Sequence, residues 1–325
     1  MQRHFRFALL AGTVIVGALG YAAAIGQSYP TKPIRLIIGY EPGGGADNVA
    51  RLLAAPISDV LGQQIVVDNR SGANGVVAAE LVARSPHDGY TVHVVTSSHV
   101  TNPVVYPKLS YDTAKDFTAV SELADAPLVM VVHPSMKASN VAEFIEIAKA
   151  KPGELVYASA GLGNMTQVAA ELFSLMVGIK MIHVPYKGSG PAIIDLIGGR
   201  ITVYFPPIPS AFPHIQSGKL KALAVTSSKR SKTAPAIPTL AESGLTGYEA
   251  GSWYGIIVPK GTPSNIVQVL HMASIKALQN PLTQERMKAQ GLEPVGSSPV
   301  ALDAKIRRDI EKWRRVFKEA NIVMQ

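Results

Sequence analysis

Along this chain, short runs rich in valine and isoleucine alternate with longer segments whose apolar residues recur at helical spacing. A chain patterned in this way folds as sheet covered by helices, because each crossover helix brings the backbone round to start a neighbouring strand in the same direction. The fold class is therefore α/β, with parallel sheets. Strands are expected over residues 34–38, 65–67, 91–95, 128–132, 155–158, 181–184, 201–205, 222–226 and 254–258. Helices are expected to start near Ala46, Gly75, Asn140, Met165, Pro191, Pro209, Ser264 and Pro299. Two of them show a clear apolar stripe, Val141, Phe144, Ile145 and Ala148 in one, Ile306, Ile310, Trp313 and Phe317 in the other, and both stripes should pack on a core.

With 325 residues the chain can bury a large core as two domains or one large one. The stretch 227–246 carries Pro235, Pro238 and Gly244 and few periodic apolar residues, so it reads as a long crossover. The expected organisation is a first lobe built from 25–123 together with 230–325, and a second lobe over 124–229. Two crossings between lobes make a hinge, a common device for closing around a ligand.

The N-terminus has Arg3 and Arg6, an apolar stretch from Phe7 to Leu19, and Ala22-Ala23-Ala24, the layout of a secretory signal peptide over 1–24 cleaved near Ile25. An uncleaved anchor is the competing reading, since the stretch is close to spanning length. No cysteine is present, which removes disulfides, thiol nucleophiles and a lipidated cysteine. The formal charge of +8 becomes +6 without Arg3 and Arg6, a mild bias toward anionic partners. Lys229-Arg230-Ser231-Lys232 is the one dense basic cluster and reads as a solvated loop; nucleic acid would call for a stripe interleaved with aromatics.

Two strand-to-helix junctions carry the chemistry. The first, Pro42 followed by Gly43, Gly44 and Gly45, leads from the first expected strand into a helix-like run from Ala46. The second, Ser159 to Asn164, contains Gly161 and Gly163 and precedes a helix from Met165. Glycines there let backbone N–H groups approach a ligand, and the helix start adds partial positive charge, so each junction can cradle an anion. Plain turn geometry is the alternative for both. Neither completes a nucleotide motif. Asp47 sits where a carboxylate caps a helix, a role that competes with ligand contact. Thr96-Ser97-Ser98-His99 ends an expected strand, where α/β sites gather; the hydroxyls of Ser97 and Ser98 suit a carboxylate, and a simple turn is the alternative. His183 and Lys187 end another strand, with a hydrogen-bonded strand residue and a surface charge as their plainer roles. There is no H-E-x-x-H, no G-x-S-x-G and no metal-ligand spacing, so no metal or cofactor is expected and the chain reads as a non-enzyme.

Several of these segments occur in order with others: Tyr29-Pro-Thr-Lys-Pro-Ile-Arg35, Pro42-Gly-Gly-Gly-Ala-Asp47, Pro86-His-Asp-Gly-Tyr90, Tyr111-Asp-Thr-Ala-Lys-Asp-Phe117, Tyr157-Ala-Ser-Ala-Gly161, His183-Val-Pro-Tyr-Lys-Gly188, Asp195-Leu-Ile-Gly-Gly199 and Gly251-Ser-Trp-Tyr-Gly255. Over essentially all of its mature length the chain closely resembles the Bug-type solute receptors of tripartite tricarboxylate transporters. The resemblance implies a two-lobed periplasmic binding protein of the type II-like kind that hands a small-molecule carboxylate to a membrane permease with one large and one small integral subunit. A role as ligand sensor for a sensor kinase, and a hydrolase or isomerase grown from the same fold, are the alternatives. In that family the carboxylate lies between the two loops that match Tyr40 to Asp47 and Ser159 to Gln167 here, partly through ordered water. Tyr40-Glu41 stands where many members have Phe or Pro-Pro, Gln167 where many have histidine, and Pro206-Pro207 where an acid is common. If that acid serves cationic groups such as an ammonium, its loss here argues against an amino-acid ligand. Tyr204, Phe205, Trp253 and Tyr254 could line the distal wall and favour a bulky carboxylate, although core packing explains them equally well.

Overall fold

The computed structural model describes residues 29–319 apart from Gly44, Pro107 and Lys187. The expected signal peptide and its cleavage point, Gly44 and Lys187 lie outside the described residues.

The chain enters through β1 (Ile34–Ile38), α1 (Gly45–Leu61), β2 (Ile65–Asn69), α2 (Val76–Ala83), β3 (Thr91–Thr96), α3 (Ser98–Val105) and β4 (Phe117–Pro127). β1 pairs in parallel with β2 and with β3 and buries four of its five residues, as a strand covered on both faces does. After Leu128 the chain builds β5 (Val129–Val132), α4 (Val141–Ala150), β6 (Val156–Ser159), α5 (Met165–Val177), β7 (Ile182–Pro185), α6 (Ser189–Ile197), β8 (Val203–Tyr204), α7 (Ile208–Gln216) and β9 (Lys221–Val225). It returns through β10 (Gly251–Pro259), α8 (Ser264–Gln279), α9 (Pro281–Ala289), β11 (Glu293–Pro294) and α10 (Pro299–Glu319). These strands make a six-stranded sheet in the order β11-β4-β10-β3-β1-β2 and a five-stranded sheet in the order β7-β6-β8-β5-β9. The architecture is an α/β fold of two sheets, each flanked by helices.

Local signals account for several boundaries. Asn140 caps α4 by accepting from the Glu143 N–H at 2.9 Å, and Glu143 accepts from the Ser139 N–H, a reciprocal box at the expected start. Asn164 caps α5, accepting from the Thr166 N–H at 3.1 Å.

Three features differ from expectation. The sheets are mixed: β10 runs antiparallel to both β3 and β4, and β5 antiparallel to β8 and β9. β10 carries the returning chain, so it enters its sheet in the opposite sense. β4, eleven residues long, was not expected, because Ser121, Glu122 and Asp125 break its apolar run. Its buried Glu122 is tolerated because Lys305 of α10 pairs with it. The Thr96 to His99 segment is no simple turn either: it opens α3, which buries seven of its eight residues.

One apolar cluster runs from Val100, Val105 and Trp253 at the larger sheet to Phe144, Phe173 and Phe205 at the smaller one, with α10 inserting Leu302, Ile306, Ile310, Trp313, Val316 and Phe317. Each such buried side chain contributes about 1.5–3 kcal/mol. α1 and α8 cover the opposite face of the larger sheet in a second cluster, and Tyr204 belongs to a third within the smaller sheet.

Candidate functional site

The first junction is shaped by its own side chains. Asp47, 2% exposed, accepts from the Gly43 N–H at 2.9 Å and from Asn69 Nδ2 at 2.9 Å, and pairs with Arg51 Nε at 2.9 Å. Burial pushes its carboxyl up, but Arg51, the Gly43 N–H and Asn69 together outweigh burial and hold it below the usual carboxylate range. Asn69 Nδ2 also donates to the Tyr40 carbonyl at 3.0 Å, so one residue of β2 ties both ends of the loop. The helix start rests on a phenol: a Cβ on Gly45 would lie 2.3 Å from Tyr254 Oη, so only glycine fits there.

Tyr40 turns away from the glycines. Its phenol, raised by burial, bonds Thr96 Oγ1 at 2.9 Å and donates to the Asn74 carbonyl at 3.1 Å. Glu41 instead accepts from Ser71 Oγ. Asn74 and Asn102 exchange bonds at 3.1 Å, which joins the turn before α2 to α3. Ser97 and Ser98 are both buried, Ser97 N–H donating to the Trp253 carbonyl at 3.1 Å and Ser98 N–H to Thr96 Oγ1 at 3.2 Å.

The second junction is stapled in the same manner. Ser159 Oγ donates to the Gly161 carbonyl at 3.1 Å, accepts from the Gly161 N–H at 3.2 Å and lies 2.7 Å from His183 Nε2. A hydroxyl has one proton and two lone pairs, so with His183 as the Nε2–H tautomer this inventory is full. His183 stacks on Tyr157 at 4.7 Å, and burial pushes its imidazole down to about 4, leaving it neutral at pH 7. The Ala160 N–H donates to Thr166 Oγ1 at 2.8 Å and the Gly163 N–H to Gln167 Oε1 at 2.8 Å.

The two junctions meet through α3. Thr101 Oγ1 donates to the Gly163 carbonyl at 3.1 Å, a bond from the larger-sheet half of the molecule to the smaller. Gly163 has φ +70°, and a Cβ there would approach Val105 Cγ2 to 2.6 Å, so the loop lies directly against α3. The structure thus gathers Tyr40, Gly43, Gly45, Asp47, Ser97 and Ser98 on one side and Ser159, Gly161, Gly163, Asn164 and Gln167 on the other. Tyr204 and Pro206 sit in the body of the smaller half: Tyr204 Oη donates to Ser189 Oγ at 2.9 Å and lies near Thr166, and the Pro206 carbonyl accepts from the Val129 N–H at 2.9 Å. Phe205, Trp253 and Tyr254 are likewise buried, so packing accounts for all four aromatics. Thr101, Asn102, Asn74 and Thr166 were missed, and only the Asn-Gly at 74–75, a turn signal, hinted at any of them. Among the described residues no group of three His, Cys, Asp or Glu could hold a metal ion, and no helix is long and apolar enough to cross a membrane.

Residues 49–322 match the tripartite tricarboxylate transporter family receptor. Protein BugT of Bordetella pertussis is 38% identical over 94% of this chain and 95% of its own length. Among solved structures, an R. palustris protein with adipate has a TM-score of 0.83 at 38% identity, covering 91% of this chain and all of that one. MatC of Rhodopseudomonas palustris, with bound malate, has a TM-score of 0.79 at 31% identity, covering 89% of this chain and 99% of that one. With the family description spanning most of the sequence and a relative this similar over nearly its whole length, the chain belongs to the tripartite tricarboxylate transporter receptor family, whose fold is that of two-lobed solute-binding proteins.

Proposed function

We propose that this chain is a non-enzymatic periplasmic binding protein that closes two lobes on a small organic carboxylate and delivers it to a membrane permease with one large and one small integral subunit. The observation that carries the reading is the Thr101 Oγ1 to Gly163 carbonyl bond, because it holds the second glycine-containing loop against α3, whose Asn102 is tied through Asn74 to Tyr40 of the first loop. Adipate and malate in the two related structures support a carboxylate as the captured group. In this reading the backbones of the Tyr40 to Asp47 and Ser159 to Gln167 loops meet the anion, with Ser97 and Ser98 at their junction and Tyr204 and Pro206 supporting the second loop from behind. Asp47, Ser159, Asn164 and Gln167 fix loop shape. In this reading the two crossings, at Leu128 and in the 226–250 segment, act as the hinge.

A thermal-shift screen of the mature protein against adipate, malate, citrate, benzoate, glutamate and phosphate tests this. At ~100 times the dissociation constant, a bound carboxylate adds about 2.7 kcal/mol and raises the midpoint by several degrees. Silence across all the carboxylates, after removal of any copurified ligand, rejects the reading.

The 2.7 Å contact between Ser159 and His183 gives a second reading, a hydrolase or isomerase built on the same fold, some substance. A nucleophilic serine must pass its proton to the base as it attacks. Here the same hydroxyl is held to both polar groups of Gly161, which suits a loop staple better. Turnover of a bound carboxylate, abolished in Ser159→Ala, would favour the enzyme; a ligand recovered unchanged excludes it.

A further inference from the structure

The chain crosses between the sheets at 127–129 and again through 226–250, and the two crossings are bonded to each other. Along the first, strand pairing passes without a break from one sheet to the next: Pro127 pairs with Gly251 of β10 in the larger sheet, and Val129 pairs with Val225 of β9 in the smaller. Leu128 between them is fully buried, so its N–H and carbonyl need partners inside the protein. Both find them on one residue, Thr226, which is also fully buried. The Leu128 N–H donates to Thr226 Oγ1 at 3.1 Å. The Leu128 carbonyl accepts from Thr226 Oγ1 at 3.1 Å and from the Thr226 N–H at 3.0 Å. The hydroxyl thus spends its proton and a lone pair on Leu128 alone. The Thr226 carbonyl in turn accepts from the Ala250 N–H at 3.0 Å, one residue before β10 begins. Residues 128, 226 and 250, where the chain leaves one sheet or enters the other, are therefore joined through a single threonine.

We propose that Thr226 is the positioning residue of the hinge: its hydroxyl keeps the two crossings in register, so that they turn as one axis and the lobes close along one path. The inference rests on the reading that the two halves close on a carboxylate. A bond between two backbone groups is fixed by the directions of both chains. A hydroxyl rotates about its C–O bond, so it can follow Leu128 as the crossing turns and keep the buried N–H and carbonyl satisfied throughout. Closure of this kind is absorbed by a few residues at the ends of elements, where Leu128 and Thr226 stand. Without the hydroxyl, residue 226 keeps only its N–H bond to the Leu128 carbonyl, the Leu128 N–H is stranded, and the crossings can twist independently. The lobes then spread over a wider range of orientations, and the two glycine loops meet less often in the geometry that holds an anion.

The chain has no cysteine, so pairs of spin labels can be introduced without background. Asp59→Cys on α1 with Lys149→Cys on α4, both exposed positions, reports the separation of the lobes. Asp59→Cys with Lys260→Cys, just after β10, reports within the first lobe as a control. Distance distributions are recorded by pulsed electron paramagnetic resonance on the unliganded mature protein. In Thr226→Val, which keeps the side-chain shape and removes the hydroxyl, the inter-lobe distribution should broaden while the control pair stays as it was, and Thr226→Ser should keep the wild-type width. An inter-lobe distribution as narrow in the valine variant as in wild type, one broadened equally in the serine variant, or equal broadening of the control pair each overturns the proposal. The closing reading fails by a different result, a wild-type inter-lobe distance that does not move when a carboxylate from the thermal-shift screen binds, whatever Thr226→Val does. Should Thr226→Val fail to fold, amide hydrogen exchange on the unaltered chain decides. The Leu128 N–H should exchange as slowly as the core amides of β5, and exchange at the rate of the exposed Ser228 overturns the proposal.

Discussion

Gly163→Ala probes the contact on which the binding reading rests. At φ +70° an alanine adopts the left-handed region at a cost of about 1–2 kcal/mol, whatever the lobes do. Its Cβ would also lie 2.6 and 3.0 Å from the two γ-methyls of Val105. A buried valine has one stiff χ1, so rotating it exchanges one methyl for the other, and α3 or the loop must move instead, at about 1–3 kcal/mol. The second cost falls only on the arrangement in which the loop touches α3. If binding requires that arrangement, the midpoint of the unliganded variant falls by only a few degrees, reflecting the backbone term. Affinity, by contrast, weakens by about 5- to 150-fold, the second term converted at 1.4 kcal/mol per decade. Titration calorimetry with whichever carboxylate the screen identifies reads the affinity, and Val105→Ala supplies the control. With the methyls gone, adding Gly163→Ala should weaken binding no more than about twofold. Equal losses in both backgrounds, a coupling under about 0.5 kcal/mol, would refute the idea that loop-to-α3 contact belongs to the ligand-bound state.

Other consequences follow from buried charge. Asp47→Asn should cost about 1–3 kcal/mol at pH 7 in chemical denaturation. The folded Asp47 is more acidic than the unfolded one, so its contribution is present above the ordinary Asp value and disappears as pH falls through the lowered one; the gap from wild type should close below about pH 4. Lys305→Met strands Glu122 without its cation and should cost about 3–5 kcal/mol, whereas Glu122→Gln/Lys305→Met should recover much of that; a double variant no better than the single rejects the pairing argument. His93 and His99 are buried, and burial holds them neutral down to about 4 and about 3. Below pH 6.5 the unfolded chain takes up protons that the folded one refuses, so stability should fall by about 1–2 kcal/mol per histidine at pH 5, a slope that His93→Gln should reduce.

What the sequence revealed was what neighbours along the chain decide. β1 followed by glycines and α1 is visible because an Ile-rich run, a turn and a helical stripe are adjacent, and Asn140 and Asp47 could be read as caps because a cap acts within one turn. β4 stayed hidden for the opposite reason. Glu122 in a buried strand makes sense only once Lys305, 183 residues later, is beside it. α3 was hidden too: Thr96 to His99 reads equally well as a turn, and the polar Asn102 and Thr101 that follow find their partners in Asn74 and Gly163, 28 and 62 residues away. For the same reason the direction of the Tyr40 phenol was unreadable, since the atom that fixes it is Thr96, 56 residues on.

This division also explains why ligand identity is hard to read from the loops even when they are found. Most of their polar groups are committed to holding the loops in shape. Asp47 spends both oxygens on Gly43, Asn69 and Arg51; Ser159 spends its proton and both lone pairs; Thr166 and Gln167 hold the Ala160 and Gly163 amides. A loop fixed beforehand loses little conformational freedom on binding, which is how preorganisation raises affinity without adding contacts. The same economy moves selectivity elsewhere. Backbone at a helix start recognises an anionic group whatever it is attached to, so under the proposed function the two loops would accept different carboxylates alike, and the residues that choose among them must be sought where the lobes face each other beyond the loops.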